Sequence, residues 1–327
     1  MKKITTGNFI TDNETNKVYV STLIDKVCGG LDDRLRSHLK ECIVGFAPSC
    51  EQLYNTKDVW ARDYMPIQLT KDVFLNFTYK PDYLEDSPKY VTNWQLHHVH
   101  ARKEHFDFQV VQMPIILDGG NVVKAVVGGK PYFIMCDKVL VENNVTIADF
   151  TSWWEIWWKE HFDGTEMGLV LLPWEGKADN PIGHADGMVR YIGEGCVLMT
   201  NYLDFDKRFN DDHGSKMKQV LEGVGFKVKT LDFWDIFSDN EAFLQKFNHT
   251  WSYINYLHVD NRILLPSLGY EALDNEALYQ VKEAFEEVGR VVDIRLIDVD
   301  MTPIVGDMGG IHNSGGALNC LTWTILQ

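Results

Sequence analysis

The chain has 327 residues, of which 45% are hydrophobic and 24% charged, a balance typical of a folded globular protein. Its net charge of −16 argues against nucleic acid or an anionic membrane as a partner and would favour a cationic ligand, although plain solubility explains the charge equally well. No linker or low-complexity tract divides the sequence, so we predict a single domain over residues 1–327.

The cysteines and the hydropathy pattern indicate in which cellular compartment the protein is located. Six cysteines are spread over positions 28 to 320 without a Cys-x-x-Cys pair, which is typical of free thiols in a reducing compartment. Polar residues follow Met1-Lys2-Lys3 where a signal peptide needs an apolar core, and no apolar run approaches the roughly 18 residues of a membrane span. We therefore expect a cytoplasmic protein.

In chain order, the hydrophobic pattern predicts five similar units, each with a helical segment, a short apolar strand, a polar loop and one or two further strands. Helical spacing predicts helices over 31–41, 151–162 and 276–288. The predicted strands cover 42–46, 73–79, 108–117, 122–127, 132–141, 168–173, 188–192, 196–202, 226–231, 262–266, 291–299 and 317–324.

Two clusters of side chains have alternative interpretations. Trp153, Trp154, Trp157 and Trp158 could form a partner surface, but we favour a helix that packs these rings onto a sheet. The second cluster consists of four histidines, which could supply metal ligands if a helix brings them together, but we favour a solvated helix start. Its members are His97, His98, His100 and His105.

The final predicted strand follows a glycine-rich loop at 309–316 that could approach a ligand closely. Strand alternation places Cys320 and Asn319 on opposite faces, so we expect Asn319 to point away from Cys320. Taken alone, Cys320 would be a small buried hydrophobic residue.

Spacing along the chain changes that interpretation. Asp63, Asp118, Asp186, Asn255 and Cys320 are separated by intervals of 55, 68, 69 and 65 residues, which is typical of repeated supersecondary units. If the units surround an axis, equivalent loops meet at its centre. These five side chains, together with that of His184, would then share one pocket.

Five motifs together resemble the guanidine-modifying, or pentein, superfamily, and above all its agmatine deiminases and Porphyromonas-type peptidyl-arginine deiminases. The resemblance covers the chain from about residue 40 to its end, and it implies an α/β fold, a five-bladed pseudo-symmetric propeller (pentein) of ββαβ-type repeats. The motifs are Trp60-Ala61-Arg62-Asp63-Tyr64-Met65-Pro66, Asp118-Gly119-Gly120-Asn121, Gly183-His184-Ala185-Asp186, Ser252-Tyr253-Ile254-Asn255 and Gly315-Gly316-Ala317-Leu318-Asn319-Cys320.

The resemblance implies a nucleophile at Cys320, a general acid/base at His184, and two carboxylates, Asp63 and Asp186, that hold a guanidinium. It places Asp118 beside the histidine or the substrate, and Asn255 at an active-site asparagine of the peptidyl-arginine branch. It also implies no metal or organic cofactor. The remaining substrate-binding candidates within the motifs are Trp60, Arg62 and Asn121.

These residue types suit the chemistry of a guanidinium, which is planar and cationic. Paired carboxylates can accept its N–H groups and fix its carbon over a sulfur nucleophile. Each residue also has an ordinary interpretation. Asp63 could form a surface ion pair, Asp118 or Asn255 a turn, and His184 with Asp186 a metal pair. The carboxylates should disfavour a thiolate, so we expect the pKa of Cys320 near or above its usual value in the free protein.

Two positions depart from the family pattern. Asn319 stands where a histidine often precedes the nucleophile, and Asp118 stands where the agmatine enzymes usually carry glutamate. The best candidate substrate is agmatine, with N-carbamoylputrescine and ammonia as products. Peptidyl-arginine deimination, amidino transfer to an amine and a non-catalytic protein-binding module remain open alternatives, and the protein could form a homo-oligomer.

Overall fold

The computed structural model describes residues 3–5, 7–26, 33–47, 49–83, 87–92, 108–164, 166–176, 180, 182–238, 247–306 and 315–327. The glycine-rich segment 309–314 and the histidine cluster lie outside the described residues, as does Cys28. In the part of the chain that is described, no helix is both long and apolar enough to cross a membrane.

Fifteen strands among the described residues form five three-stranded sheets. In chain order the strands are β1 (Lys17–Ser21), β2 (Glu51–Leu53), β3 (Ile67–Thr70), β4 (Val73–Thr78), β5 (Gln109–Ile116), β6 (Val123–Val127), β7 (Lys130–Cys136), β8 (Gly168–Leu172), β9 (Val189–Gly193), β10 (Cys196–Met199), β11 (Lys227–Thr230), β12 (Leu257–Val259), β13 (Arg262–Ser267), β14 (Asp293–Asp300) and β15 (Thr322–Ile325).

Helices connect these strands within the same described ranges. The α-helices are α1 (Asp33–Phe46), α2 (Ala61–Tyr64), α3 (Lys138–Glu142), α4 (Ile147–His161), α5 (Tyr202–Phe209), α6 (His213–Val224), α7 (Trp234–Ser238), α8 (Glu271–Glu287), α9 (Thr302–Val305) and α10 (Leu318–Leu321). The 3₁₀ turns are Asp12–Glu14, Ile24–Lys26, Ser87–Lys89, Gly119–Asn121, Ala185–Gly187 and Phe247–Ile254.

All five sheets have the same topology. In four of them, consecutive strands form an antiparallel pair and the third strand adds in parallel to the middle one. The fifth sheet has the same pattern but uses both ends of the chain, because β15 pairs antiparallel with β1 and β2 adds in parallel. The α/β class and the five repeated units predicted from the sequence are thereby confirmed.

A short helical turn precedes the first strand of each sheet, and each turn carries or adjoins a predicted site residue. The turns are α2, Gly119–Asn121, Ala185–Gly187, Phe247–Ile254 and α10. Because the five sheets repeat one topology, these turns occupy equivalent positions.

Hydrogen bonds connect each turn to the next, and the last turn contacts the first. The ring is therefore closed, and it brings motifs far apart in sequence to one place. Gly120 N donates to Asp63 Oδ1 (3.1 Å), Ala185 N to Asn121 Oδ1 (3.2 Å), Asn255 Nδ2 to the Asp186 carbonyl (3.2 Å), Cys320 N to Asn255 Oδ1 (3.2 Å) and Arg62 Nη2 to Asn319 Oδ1 (3.0 Å).

The tryptophan stripe of α4 packs into the core, as predicted. Trp154 and Trp158 are almost fully buried, and their ring centroids lie 5.6 and 5.8 Å from that of Phe133 on β7. Trp154 Nε1 donates to the Met167 carbonyl at 2.8 Å, which satisfies its polar atom within the core.

Four predicted strands are wrong, one of them entirely and three in part. Residues 42–46 are the end of α1, because Leu39, Ile43 and Phe46 recur at helical spacing and are buried together. The strands predicted to reach residues 141 and 202 end at Cys136 and Met199, and helices follow both. The predicted strand through Cys320 begins only at Thr322, since Cys320 lies in α10.

Candidate active site

Three predicted site residues come together around the backbone of Gly120. A Cβ at this position would lie 2.5 Å from Asp63 Oδ1, 2.7 Å from His184 Nδ1 and 3.4 Å from Asp186 Oδ1. Only glycine fits a backbone this close to three polar side chains. The side chains therefore converge as the spacing of the motifs predicted.

His184 lies between two carboxylates. Its Nε2 is 3.0 Å from Asp118 Oδ2, and its Nδ1 is 3.6 Å from Asp63 Oδ1. Burial lowers the pKa of His184, but the charge of Asp63 and the hydrogen bond to Asp118 outweigh it and raise the pKa to about 9. The two carboxylates therefore favour the protonated imidazole. The shorter carboxylate at position 118 still reaches the histidine.

The cluster has more acidic than basic groups. Asp63, Asp118 and Asp186 are all at least 96% buried, and His184 is the only basic side chain in direct contact with them that the described residues show. Burial raises the pKa of Asp63, an effect that His184 opposes and the neighbouring carboxylates reinforce. A buried excess of negative charge is unfavourable unless a cation compensates it, so the site suits a cationic ligand.

Cys320 lies at the edge of this cluster. Its Sγ is 3.5 Å from Asp186 Oδ2, with the thiol as donor. Burial raises the pKa of Cys320 well above its ordinary value, and the charges of Asp186 and Asp63 raise it further. The direction agrees with the sequence-based expectation. In the free protein the sulfur is therefore a thiol at neutral pH.

The prediction that Asn319 points away from Cys320 is wrong, because both side chains contact Asp186 Oδ2. Residues 318–321 form a turn of helix, so neighbouring side chains are separated by about 100° instead of the 180° of a strand. Asn319 Nδ2 consequently donates to Asp186 Oδ2 at 2.6 Å, and its Oδ1 accepts from Arg62 Nη2.

Asn255 is completely buried and holds the backbone beside the nucleophile candidate. Its Oδ1 accepts from Cys320 N, and its carbonyl accepts from Asn319 N at 2.9 Å. The side chain thus contacts the turn that carries Cys320, and its Nδ2 contacts the turn that carries Asp186.

The three remaining candidates contact other parts of the protein. Asn121 Oδ1 accepts from Cys136 N and Ala185 N, and its Nδ2 donates to the Cys136 carbonyl. Arg62 donates to Asn319 and, at 3.2 Å, to Thr324 Oγ1. The ring of Trp60 lies against Gly316, where a Cβ would be 2.3 Å from Cζ3. Substrate contact by Trp60, Arg62 and Asn121 stays a prediction.

The family model for Porphyromonas-type peptidyl-arginine deiminase matches residues 31–317. The chain belongs to this family. The match ends three residues before Cys320, so it does not include the thiol. A search of curated proteins finds no match.

Solved structures similar to this deiminase-family chain share its fold. An agmatine deiminase from C. jejuni is 15% identical with a TM-score of 0.65, covering 98% of this chain and 96% of that one. An agmatine deiminase of Enterococcus faecalis is also 15% identical with a TM-score of 0.65, covering 99% of both. A dimethylarginine dimethylaminohydrolase is 11% identical with a TM-score of 0.51, covering 95% and 100%.

Sequence reasoning missed several residues near the site of this family member. Tyr83 presents its ring edge-on to His184, with centroids 6.0 Å apart. Lys138 Nζ lies 4.9 Å from the Tyr83 ring and pairs with Asp82 at 2.8 Å and Glu142 at 3.0 Å. No motif marks these positions, because their contacts depend on how neighbouring sheets meet.

Proposed function

We propose that this protein is a hydrolytic deiminase of a guanidinium compound, with agmatine as the first candidate substrate and N-carbamoylputrescine and ammonia as products. The observation that carries the proposal is the convergence of a thiol, an imidazole and three carboxylates around one buried point. Family membership supports the reaction class, and the similarity to two agmatine deiminases suggests which small substrate to test first.

Substrate binding is assigned to Asp63 and Asp186. Their Oδ1 atoms lie close to each other beside the Gly120 backbone, and the two carboxylates could together accept N–H groups of a planar cation. The cation compensates the excess negative charge and so removes much of the electrostatic cost of a thiolate at Cys320. Binding would therefore promote loss of the thiol proton.

The chemical steps are assigned to Cys320 and His184. The thiolate attacks the guanidinium carbon and forms a tetrahedral intermediate. Protonated His184 donates its proton to the departing nitrogen, which leaves as ammonia, and a thiouronium remains on sulfur. Now neutral, His184 takes a proton from water, whose oxygen attacks the same carbon and displaces the sulfur, and the remaining proton of that water passes to the departing thiolate. The product carries a ureido group, and Asp118 holds His184 in place throughout.

The same proposal includes the arrangement of the sheets. Five sheets of one topology, connected by a closed ring of contacts between their first turns, fit five blades of a propeller with the site at its axis. In this arrangement each blade supplies one turn to the site.

A colour assay for ureido products tests the reaction and the substrate class. We expect product from agmatine and less or none from free arginine. Product from an arginine-containing peptide instead would favour the second candidate, a peptidyl-arginine deiminase, which membership of this family supports. Product formation only when an acceptor amine is added would indicate amidino transfer. No product from any guanidinium compound would contradict the proposal.

A further inference from the structure

Asn319 lies between a cation and an anion that fix the direction of its amide. Its Oδ1 accepts from Arg62 Nη2 at 3.0 Å, and its Nδ2 donates to Asp186 Oδ2 at 2.6 Å. A guanidinium has donors only, so Arg62 requires the oxygen of the amide on its own side. The NH₂ group must then face Asp186.

Arg62 is itself held in place. It donates to Thr324 Oγ1 at 3.2 Å on β15, and its Nη1 lies 3.9 Å from Asp12 Oδ1. Its side chain is 11% exposed, so it has little freedom to turn away from Asn319. Hydrogen bonds therefore connect Arg62 to Asn319, Asn319 to Asp186, and Asp186 to Cys320.

The two oxygens of Asp186 have different surroundings. Oδ2 accepts from the amide of Asn319 and the thiol of Cys320, whereas Oδ1 lies towards Gly120, 3.4 Å from where a Cβ on that residue would be. The amide therefore fixes the rotation of the carboxylate. Its hydrogen bond also partly neutralises the negative charge on Oδ2, the carboxylate oxygen that contacts the sulfur.

From this geometry we propose that Asn319, oriented by Arg62, is a positioning residue that fixes the rotation of the Asp186 carboxylate and makes the Asp186 charge less unfavourable to the Cys320 thiolate. The role of Asn319 in catalysis rests on the proposed function. Its effect on the ionisation of the Cys320 thiol does not, because that ionisation can be measured without substrate. Removal of the amide leaves the charge of Oδ2 uncompensated beside the sulfur. The thiol should then ionise only at higher pH.

The test follows alkylation of Cys320 by iodoacetamide against pH, without ligand, with peptide mass mapping to read this thiol alone. We compare wild type, Asn319→Ala and Asn319→Asp. The second variant keeps the volume of the side chain and can pair with Arg62, so it should fold even if the truncation does not. Asn76→Ala is the matched control, because Asn76 is also buried and donates to a side chain, Gln112, at 2.8 Å on another sheet.

We expect the midpoint of the alkylation profile to rise by about one pH unit in Asn319→Ala and by more in Asn319→Asp, where two carboxylates face each other. Asn76→Ala should keep the wild-type midpoint. Wild-type midpoints in both Asn319 variants would overturn the proposal, as would an equal shift in Asn76→Ala.

Activity separates this inference from the proposed function. If wild type turns over agmatine, kcat/KM at neutral pH should be lower in the Asn319 variants than in wild type, because less of the free protein carries a thiolate. If wild type turns over no guanidinium compound, the proposed function fails, and the alkylation profile still decides whether Asn319 controls the thiol.

Discussion

At the scale of single residues, the site depends on a backbone position without a side chain. A methyl group at position 120 would lie within 2.7 Å of Asp63 Oδ1 and His184 Nδ1. We expect Gly120→Ala to lower kcat/KM at least about 100-fold, because displacement of these groups by about 1 Å disrupts the alignment of the reacting atoms. Gly45→Ala is the control, since its Cβ would meet nothing within 4 Å. Full activity in Gly120→Ala would contradict the geometry of the site.

A second prediction at this scale concerns Asp58, which is 2% exposed and lies near the site carboxylates. Burial raises the pKa of Asp58 to about 6, despite hydrogen bonds from the Val59 amide and Tyr79. The folded state thus favours the protonated carboxyl. The stabilisation that comes from the protonated carboxyl of Asp58 is fully present below the unfolded-state pKa of about 4. It is lost as the pH rises through the folded-state pKa of about 6.

Asp58→Asn removes this titration. We expect the variant to be more stable than wild type by about 2–3 kcal/mol at pH 8, and nearly equal to it at pH 4. Urea unfolding at both pH values measures the difference, and Glu160→Gln on the exposed side of α4 serves as the control. An Asp58→Asn variant less stable than wild type at pH 8 would show that the charged carboxylate stabilises the fold.

At the scale of elements, the C-terminal strand anchors the turn that carries Cys320. Trp323 on β15 is 6% exposed, its Nε1 donates to the Pro66 carbonyl at 2.8 Å, and its ring lies 5.1 Å from that of Tyr19 on β1. Trp323→Ala should cost about 3–5 kcal/mol of unfolding free energy. Tyr279→Ala, on the exposed side of α8, should change stability by less than about 0.5 kcal/mol in the same urea titration. Equal losses in the two variants would contradict the anchoring role.

The helices and strands differ in how well the sequence predicts them. Long periodic segments such as α8 and regular strands such as β6 were predictable, because burial imposes their patterns. The apolar run 42–46 was not, since five apolar residues fit either a strand or the end of a helix. The four residues of α10 are too few to show a period. The error in α10 hid the contact between Asn319 and Asp186.

At the scale of the whole molecule, the repeat of about 65 residues predicted which side chains converge, because equivalent turns of repeated units occupy equivalent positions. The contacts that close the ring were not predictable. They join Arg62 to Asn319 and Asn255 to Cys320, and they depend on distances between sheets that a local pattern does not encode. The pairing of β15 with β1 is of the same kind.

We expect the convergent site of this fold to perform covalent catalysis at one sulfur, that of Cys320. The most direct measurement is mass spectrometry of the Cys320 peptide after rapid acid quench of a reaction with agmatine, beside product assays of wild type and Cys320→Ser. We expect a guanidine-derived adduct on Cys320 that disappears as product forms, and no measurable turnover in Cys320→Ser. Turnover without an adduct at Cys320, or a Cys320→Ser variant with a tenth of the wild-type rate, would contradict the claim.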